Sequence, residues 1–310
     1  MGELLTEFGK KLAERWLSLL VLPGALYLAA AATALILGHT WNVGPLREKI
    51  TAYAQSPIAS SFGGQAVLLA TLLAGAAAVG LVAQALGTLV ERAALATDWH
   101  AWRRPLSNLA DWWVTKRQGR WDEKDSTHRN ELDRARDPWP EARPDRLARR
   151  RAARDRDRIA VERPERPSWS GDRIHAVAIR LDHDYHLDLA LVWPFLWLVL
   201  PNRVRDQVVE ARTALSRAST LAGWSLLYLP LAFLSWPTAL LAIVIAATAR
   251  YRLRAATDTY ARLLEAAARL YTVSLAAQLG IDHDGLPTPR LGDVLTQHLR
   301  TQLPPPPEQG

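Results

Sequence analysis

Apolar residues in this chain are gathered into a few long runs that strongly charged segments separate. Two runs, 16–38 and 66–90, contain no charged residue. Each is long enough, at 1.5 Å per residue, to cross a hydrocarbon core of roughly 30 Å as a helix. A third apolar region, 218–249, is too long for one span and is interrupted by Pro237. Because proline breaks a helix, this region predicts two short spans, 218–234 and 237–249, joined by a tight turn.

The distribution of positive charge predicts how these four helices cross the membrane. With four spans arranged as two hairpins, Arg47 and Lys49 are the only external members of the chain's 38 lysines and arginines. Basic residues near spans stay on the cytoplasmic side, so both termini are predicted to be cytoplasmic in a multi-pass protein of the plasma membrane. One more apolar run, 187–201, is short and contains Asp188 and Pro194. It predicts an interfacial or protein-buried segment, and its entry into the membrane stays open.

These spans divide the chain into eleven segments. In chain order they are a cytoplasmic N-terminus 1–15, a span 16–38, an external loop 39–65, a span 66–90, a cytoplasmic helix 91–115, a largely disordered linker 116–170, a cytoplasmic helical or interfacial platform 171–217, the spans 218–234 and 237–249, a cytoplasmic helix 250–281 that continues the last span, and a proline-rich tail 282–310. The linker is expected to be disordered or a lone solvated helix, because low hydrophobicity and mixed charge do not offset the entropy of ordering. The fold class is therefore all-α.

The second span is rich in small residues, including Gly75, Gly80 and Gly87. In lipid, small side chains let helix backbones approach closely, so this helix is predicted to pack tightly against a neighbour. The neighbour belongs either to the same chain or to a second copy, which leaves a homo-oligomer open.

Candidate chemistry is sparse. The absence of cysteine excludes disulfides and thiolate metal sites. The strongest cluster is Asp182, His183 and His186, in which the two histidines share a helix face as metal ligands can. Such residues are also commonplace at a solvated helix end, which is the favoured interpretation. We therefore predict no catalytic residue, no metal and no cofactor, and an enzyme is not supported.

Two groups of residues are candidates for contact with partners. Trp193 and Trp197 lie in the apolar run of the platform, and Arg149, Arg150 and Arg151 form the centre of a basic block. Acidic residues nearly balance the basic ones over 91–186. Nucleic acid is therefore not favoured, and the arginine-rich arm is expected to contact anionic lipid or to remain solvated.

Three stretches together resemble a known group of proteins. The segments 168–201, with its LDL…WP.LW…LP pattern, 220–241, with its WP turn, and 255–270 are similar to uncharacterised multi-pass membrane proteins of Streptomyces-type actinobacteria. That family has no established activity, so the resemblance implies lineage and membrane topology alone.

The sequence favours a membrane-anchored scaffold that presents its helical platform and charged arm to an unidentified cytoplasmic protein. Two alternatives remain. One is an oligomeric pore or effector, and the other is a membrane-bound enzyme that uses the His183 and His186 region.

Overall fold

The structure, a computed structural model, describes residues 21–37, 44, 47–48, 51–52, 55, 61–96, 99, 104–136 and 146–302. Over these residues the chain is helical and contains no strand, which confirms the all-α class. The helices are α1 (Leu22–Leu37), α2 (Phe62–Leu95), α3 (Leu106–Arg136), α4 (Arg146–Asp157), α5 (Trp169–Tyr185), α6 (Leu189–Val199), α7 (Asn202–Ala232), α8 (Trp236–Gln278) and α9 (Pro289–Gln302).

The chain folds as two units. Unit 1 comprises Met1–Glu91 and Ser216–Arg252, and unit 2 comprises Arg92–Leu215 and Leu253–Gly310. Three helices, α2, α7 and α8, contain a boundary between the units within their length.

Unit 1 is built on small residues at its helix contacts. A Cβ atom placed on Gly24 of α1 would lie 2.0 Å from the carbonyl oxygen of Ala76 in α2. A Cβ atom on Gly87 of α2 would lie 2.7 Å from the Cα atom of Thr220 in α7. Near these contacts the Tyr27 hydroxyl donates to the carbonyl of Leu227 at 3.3 Å. The backbones of α1, α2 and α7 therefore approach as closely as glycine allows.

The large side chains of α2 point away from these contacts. Its buried residues are Ala76, Gly80, Ala83 and Gly87. Its exposed large apolar residues are Phe62, Val67, Leu68, Leu69, Leu72, Leu73, Leu81, Val82 and Leu89. Among the described residues, α2 is the one helix long and apolar enough to cross a membrane by length and composition, while α1 and α6 are shorter apolar helices. The four-span topology stays a prediction.

Unit 2 has a conventional core of large apolar side chains. Residues of α5, α6, α8 and α9 meet in one cluster, whose fully buried members include Val177, Leu181, Leu196, Ala268 and Leu295. The apolar faces of α5 and α8 contribute to this core. Much of each face is therefore covered within the unit.

The prediction of a disordered linker over 116–170 was wrong for the described residues. Helix α3 extends to Arg136 and α4 packs against it. One side of α3 is buried because its polar groups bind the backbone of the segment before α5. The Arg117 guanidinium donates to the carbonyls of Arg166 and Ile159, and the Trp121 indole donates to that of Ala160. The average composition of the segment does not indicate that one side of α3 is buried. Residues 137–145 lie outside the described residues.

Two other predicted boundaries also differ. The helix over 91–115 is interrupted, since α2 ends at Leu95, Ala96 has a φ of 43° and α3 begins at Leu106. Pro105 accounts for the new start, because it disfavours helix in the residue before it. The platform helix before 218–234 and that predicted span form one helix, α7. In the tail 282–310, the pattern over 291–303 also allows a short helix, and the structure has α9 there, with Leu295 and Leu299 fully buried.

Several predicted helical segments overlap the described helices. The span 66–90 lies within α2, and the helix 250–281 continues the predicted span 237–249 in α8 as far as Gln278. Helix α1 covers most of the span 16–38. The segment 1–15 and most of the loop 39–65 lie outside the described residues.

An aromatic groove as candidate functional site

Helix α6 places two tryptophans at the surface of unit 2. Asp188 caps the helix, because its carboxylate accepts from the backbone N–H groups of Ala190 and Leu191 at 3.1 and 3.3 Å. Val192 and Leu196 are fully buried one turn apart and anchor the helix to the core. Trp193 and Trp197 each follow one of these residues and therefore lie side by side, with ring centroids 5.9 Å apart.

These tryptophans form one wall of an open groove of about 560 Å³. Pro194 extends the same wall, and α8 contributes Tyr260. Helix α7 contributes the lining residues Val208, Val209, Arg212 and Thr213. All of these residues belong to unit 2. We refer to this feature as the aromatic groove.

Arg212 gives the aromatic groove its charge. It is the charged residue among those that line it. Burial raises the pKa of the Tyr260 hydroxyl above its usual value, and the positive charge of Arg212 opposes that shift only in part. The phenol therefore stays neutral at physiological pH, and the groove presents apolar walls beside a single cation. This combination suits an apolar side chain that is flanked by a carboxylate.

The His/Asp cluster is spread over the end of α5. The Nδ1 atom of His183 lies 3.4 Å from Asp184 Oδ1, and that of His186 lies 3.2 Å from Asp293 Oδ2 in α9. Asp182 is exposed. Within the described part of the chain, no group of three His, Asp or Glu residues is placed to hold a metal ion. His186 instead ends α5 in a left-handed conformation.

The three predicted arginines lie on α4. Arg150 and Arg151 are exposed, whereas Arg149 is half-buried on the adjacent side. Arg146 and Arg154 extend the exposed face by one turn in each direction, since residues four apart are neighbours on a helix. The basic block is therefore an ordered cationic helix face and not a mobile arm.

Glycines of α2 differ in how tightly they pack. Gly80 and Gly87 are buried, and Gly87 lies against α7. A Cβ atom on Gly75 would meet the Leu28 side chain at 3.4 Å, which is an ordinary contact. The neighbours thus belong to the same chain at these positions.

Sequence reasoning identified Trp193 and Trp197 but missed Arg212 and Val209. Val208 and Arg212 are four residues apart in a helical pattern, which indicates a shared face. No local signal connects that face with α6 or α8, because the groove forms only when three helices pack.

What the aromatic groove can do follows from shape and charge. It offers apolar surface and a guanidinium for binding, and its lining contains no nucleophile with a neighbouring base. Comparison of the chain with protein-family models, with curated proteins and with solved structures found no match.

Proposed function

We propose that this chain is a multi-pass plasma-membrane protein that holds a helical cytoplasmic unit at the membrane and binds a soluble protein there. The partner would insert an amphipathic helix with an acidic residue into the aromatic groove. The observation that carries this proposal is the pairing of two half-buried tryptophans, which line an open groove, with Arg212 on a well-packed helical core. Tryptophan and arginine are the residues most enriched among those that dominate binding energy at interfaces.

The membrane part of the proposal is supported by the reversed burial pattern of α2. Only 17% of its most apolar stretch is buried. The central helix of a water-soluble core would show the opposite pattern, with large apolar residues inside. Small residues at helix contacts and large apolar residues outside are typical of helices surrounded by lipid, where packing drives association. Helix α8 repeats this arrangement, with Ala242 buried and Leu240, Ile243 and Val244 exposed.

The mode of partner binding follows from the form of the groove. An open groove between helices accepts an amphipathic helix through apolar anchors three or four residues apart. Val209, which is 51% exposed, offers additional apolar contact at the rim. A carboxylate on the partner would pair with the Arg212 guanidinium and fix the direction of the bound helix.

The topology gives a direct test, because the chain contains no cysteine. We expect Phe62→Cys, at the exposed start of α2, to react with a membrane-impermeant maleimide on intact cells. Arg203→Cys, exposed in the first turn of α7, should react only after permeabilisation. Labelling of Arg203→Cys in intact cells would contradict four spans and move the platform outside.

Partner binding is tested by photocrosslinking in living cells. A benzophenone amino acid at Val209 should form one discrete adduct with a soluble protein, and the crosslinked peptide should be an acidic amphipathic helix. The charge reversal Arg212→Glu should reduce the adduct at least tenfold, because it repels the partner's carboxylate. The matched control is the same probe at Leu270, an exposed apolar residue of α8 that does not line the groove.

Three results would overturn the proposed binding mode. They are adducts with lipid or with a second copy only, equal adducts from Val209 and Leu270, and an adduct that is insensitive to Arg212→Glu. Absence of any adduct would also overturn it, provided that the variant is present in the membrane at normal amounts.

A further inference from the structure

The first turns of α3 carry an exposed apolar face in an otherwise charged helix. Leu106, Leu109, Trp112 and Trp113 are 56%, 54%, 52% and 42% exposed. At 3.6 residues per turn, these four residues and Lys116 fall within about one third of the helix circumference. We refer to these five residues as the α3 face.

The remaining sides of α3 have different surroundings. Ala110 and Val114 are buried against Ala96 and Trp99, which follow directly after α2. Asp111 is exposed on the side almost opposite Leu109. Over its first turns, residues 106–116, the helix therefore has a packed side, a polar side with Asp111 and an apolar side without acidic residues.

Lys116 places a cation on the apolar side of α3. The Lys116 ammonium lies 4.7 Å from the Trp112 ring centroid and 5.5 Å from that of Trp113. The two indole rings meet edge to face at 5.2 Å. Arg104 and Arg120 are exposed before and after this group. Indole rings beside the long side chains of lysine and arginine form the composition that residues at a membrane–water interface adopt.

We propose that the α3 face lies in the headgroup region of an anionic membrane. Its leucines and indole rings would enter the boundary of the acyl chains, while Lys116, Arg104 and Arg120 would pair with lipid phosphates. The packing of α3 on residues directly after α2 supports this occupant over a soluble protein, because it holds the face close to the end of that helix. The inference rests on the proposed function in one respect, which is that α2 crosses the membrane.

The test uses single cysteines in the full-length chain. Leu109→Cys, Asp111→Cys and Leu81→Cys would each be labelled with a fluorescent bimane and reconstituted into vesicles of phosphatidylglycerol and phosphatidylethanolamine. Brominated lipids should quench the label at position 109 at least threefold more than the label at position 111. Aqueous iodide should show the reverse order. Adding Lys116→Glu should weaken lipid quenching at position 109, and replacing phosphatidylglycerol with phosphatidylcholine should do the same.

The outcomes separate this inference from the proposed function. The Leu81 position reports on α2, so an iodide-accessible label there contradicts the spanning helix. Lipid quenching at position 81 together with equal quenching at 109 and 111 overturns the α3 inference alone. A label at position 109 that is shielded from both quenchers also overturns it, because a protein or a second copy then covers the face.

Discussion

Replacing Arg117 with methionine is expected to destabilise unit 2 by about 3–5 kcal/mol, because it leaves a buried carboxylate without its cation. The Arg117 guanidinium lies 2.5 Å from Asp172, and both side chains are buried. The same guanidinium also satisfies the carbonyls of Arg166 and Ile159. Amide hydrogen exchange in the segment before α5 should report this loss of stability. The amides of Glu165 and Arg166, which donate to Asp172, are expected to exchange ~10²–10⁴-fold faster.

The loss caused by Arg117→Met should depend on pH in a defined direction. Burial raises the pKa of Asp172 above its ordinary value of 3.8, and the charge of Arg117 opposes this shift. Without Arg117 the folded-state pKa rises further. A raised carboxyl pKa means that the group's contribution to stability is full below 3.8 and declines as pH rises through the folded-state pKa. The difference between Arg117→Met and the parent chain should therefore be larger at neutral pH than in acid.

Two further variants distinguish the loss of the Arg117–Asp172 ion pair from nonspecific destabilisation of the helix. Arg120→Met removes an exposed arginine from the same helix and is expected to leave exchange unchanged. The double variant Arg117→Met, Asp172→Asn contains no unpaired buried charge and should recover part of the stability. Equal exchange rates in Arg117→Met and Arg120→Met, or a loss that is independent of pH, would contradict the assigned role of the pair.

This ion pair also explains which features of unit 2 the sequence could not predict. Segment 116–170 has the composition of a disordered linker, and composition averages over all sides of a helix. Order arises from individual positions such as Arg117, Trp121 and Gln118, whose side chains bind the carbonyls of Arg166, Ile159, Ala160 and Pro164. Those partners lie about forty or more positions along the chain, so periodicity within α3 does not reveal them.

Local patterns predicted the other elements because the signals were short in range. Helix α8 could be followed beyond the apolar stretch by the spacing of residues such as Leu264, Ala267 and Leu275, which the structure buries. The two tryptophans of α6 were visible as large side chains in an apolar run with a proline. The aromatic groove was not, because Arg212 and Tyr260 come from two other helices.

The second large effect is expected in unit 1, at Gly223 of α7. A Cβ atom there would lie 2.4 Å from the carbonyl oxygen of Ala83 and 2.7 Å from the amide nitrogen of Gly87. Both atoms belong to the backbone of α2 and cannot rotate away. Gly223→Ala must therefore push α2 and α7 apart, at a cost of about 1–3 kcal/mol or more. Gly223→Leu is expected to prevent folding of unit 1.

The comparison is made by thermal unfolding of the purified chain in detergent, followed by circular dichroism. Gly87→Ala should behave like Gly223→Ala, because its Cβ atom would lie 2.7 Å from the Cα atom of Thr220. Gly63→Ala is the matched control, since a Cβ atom there would have no neighbour within 4 Å. It should be neutral or stabilising by up to about 1 kcal/mol.

Gly75→Ala tests whether alanine lowers stability only where a glycine contacts a neighbouring backbone, or at every glycine of these helices. Its Cβ atom would meet Leu28 at an ordinary 3.4 Å, so this variant should unfold at nearly the parent temperature. If all four alanine variants lowered the unfolding temperature equally, chain flexibility and not backbone contact would be the cause. Selective loss at positions 87 and 223 would instead identify the contact between α2 and α7 as one that requires glycine.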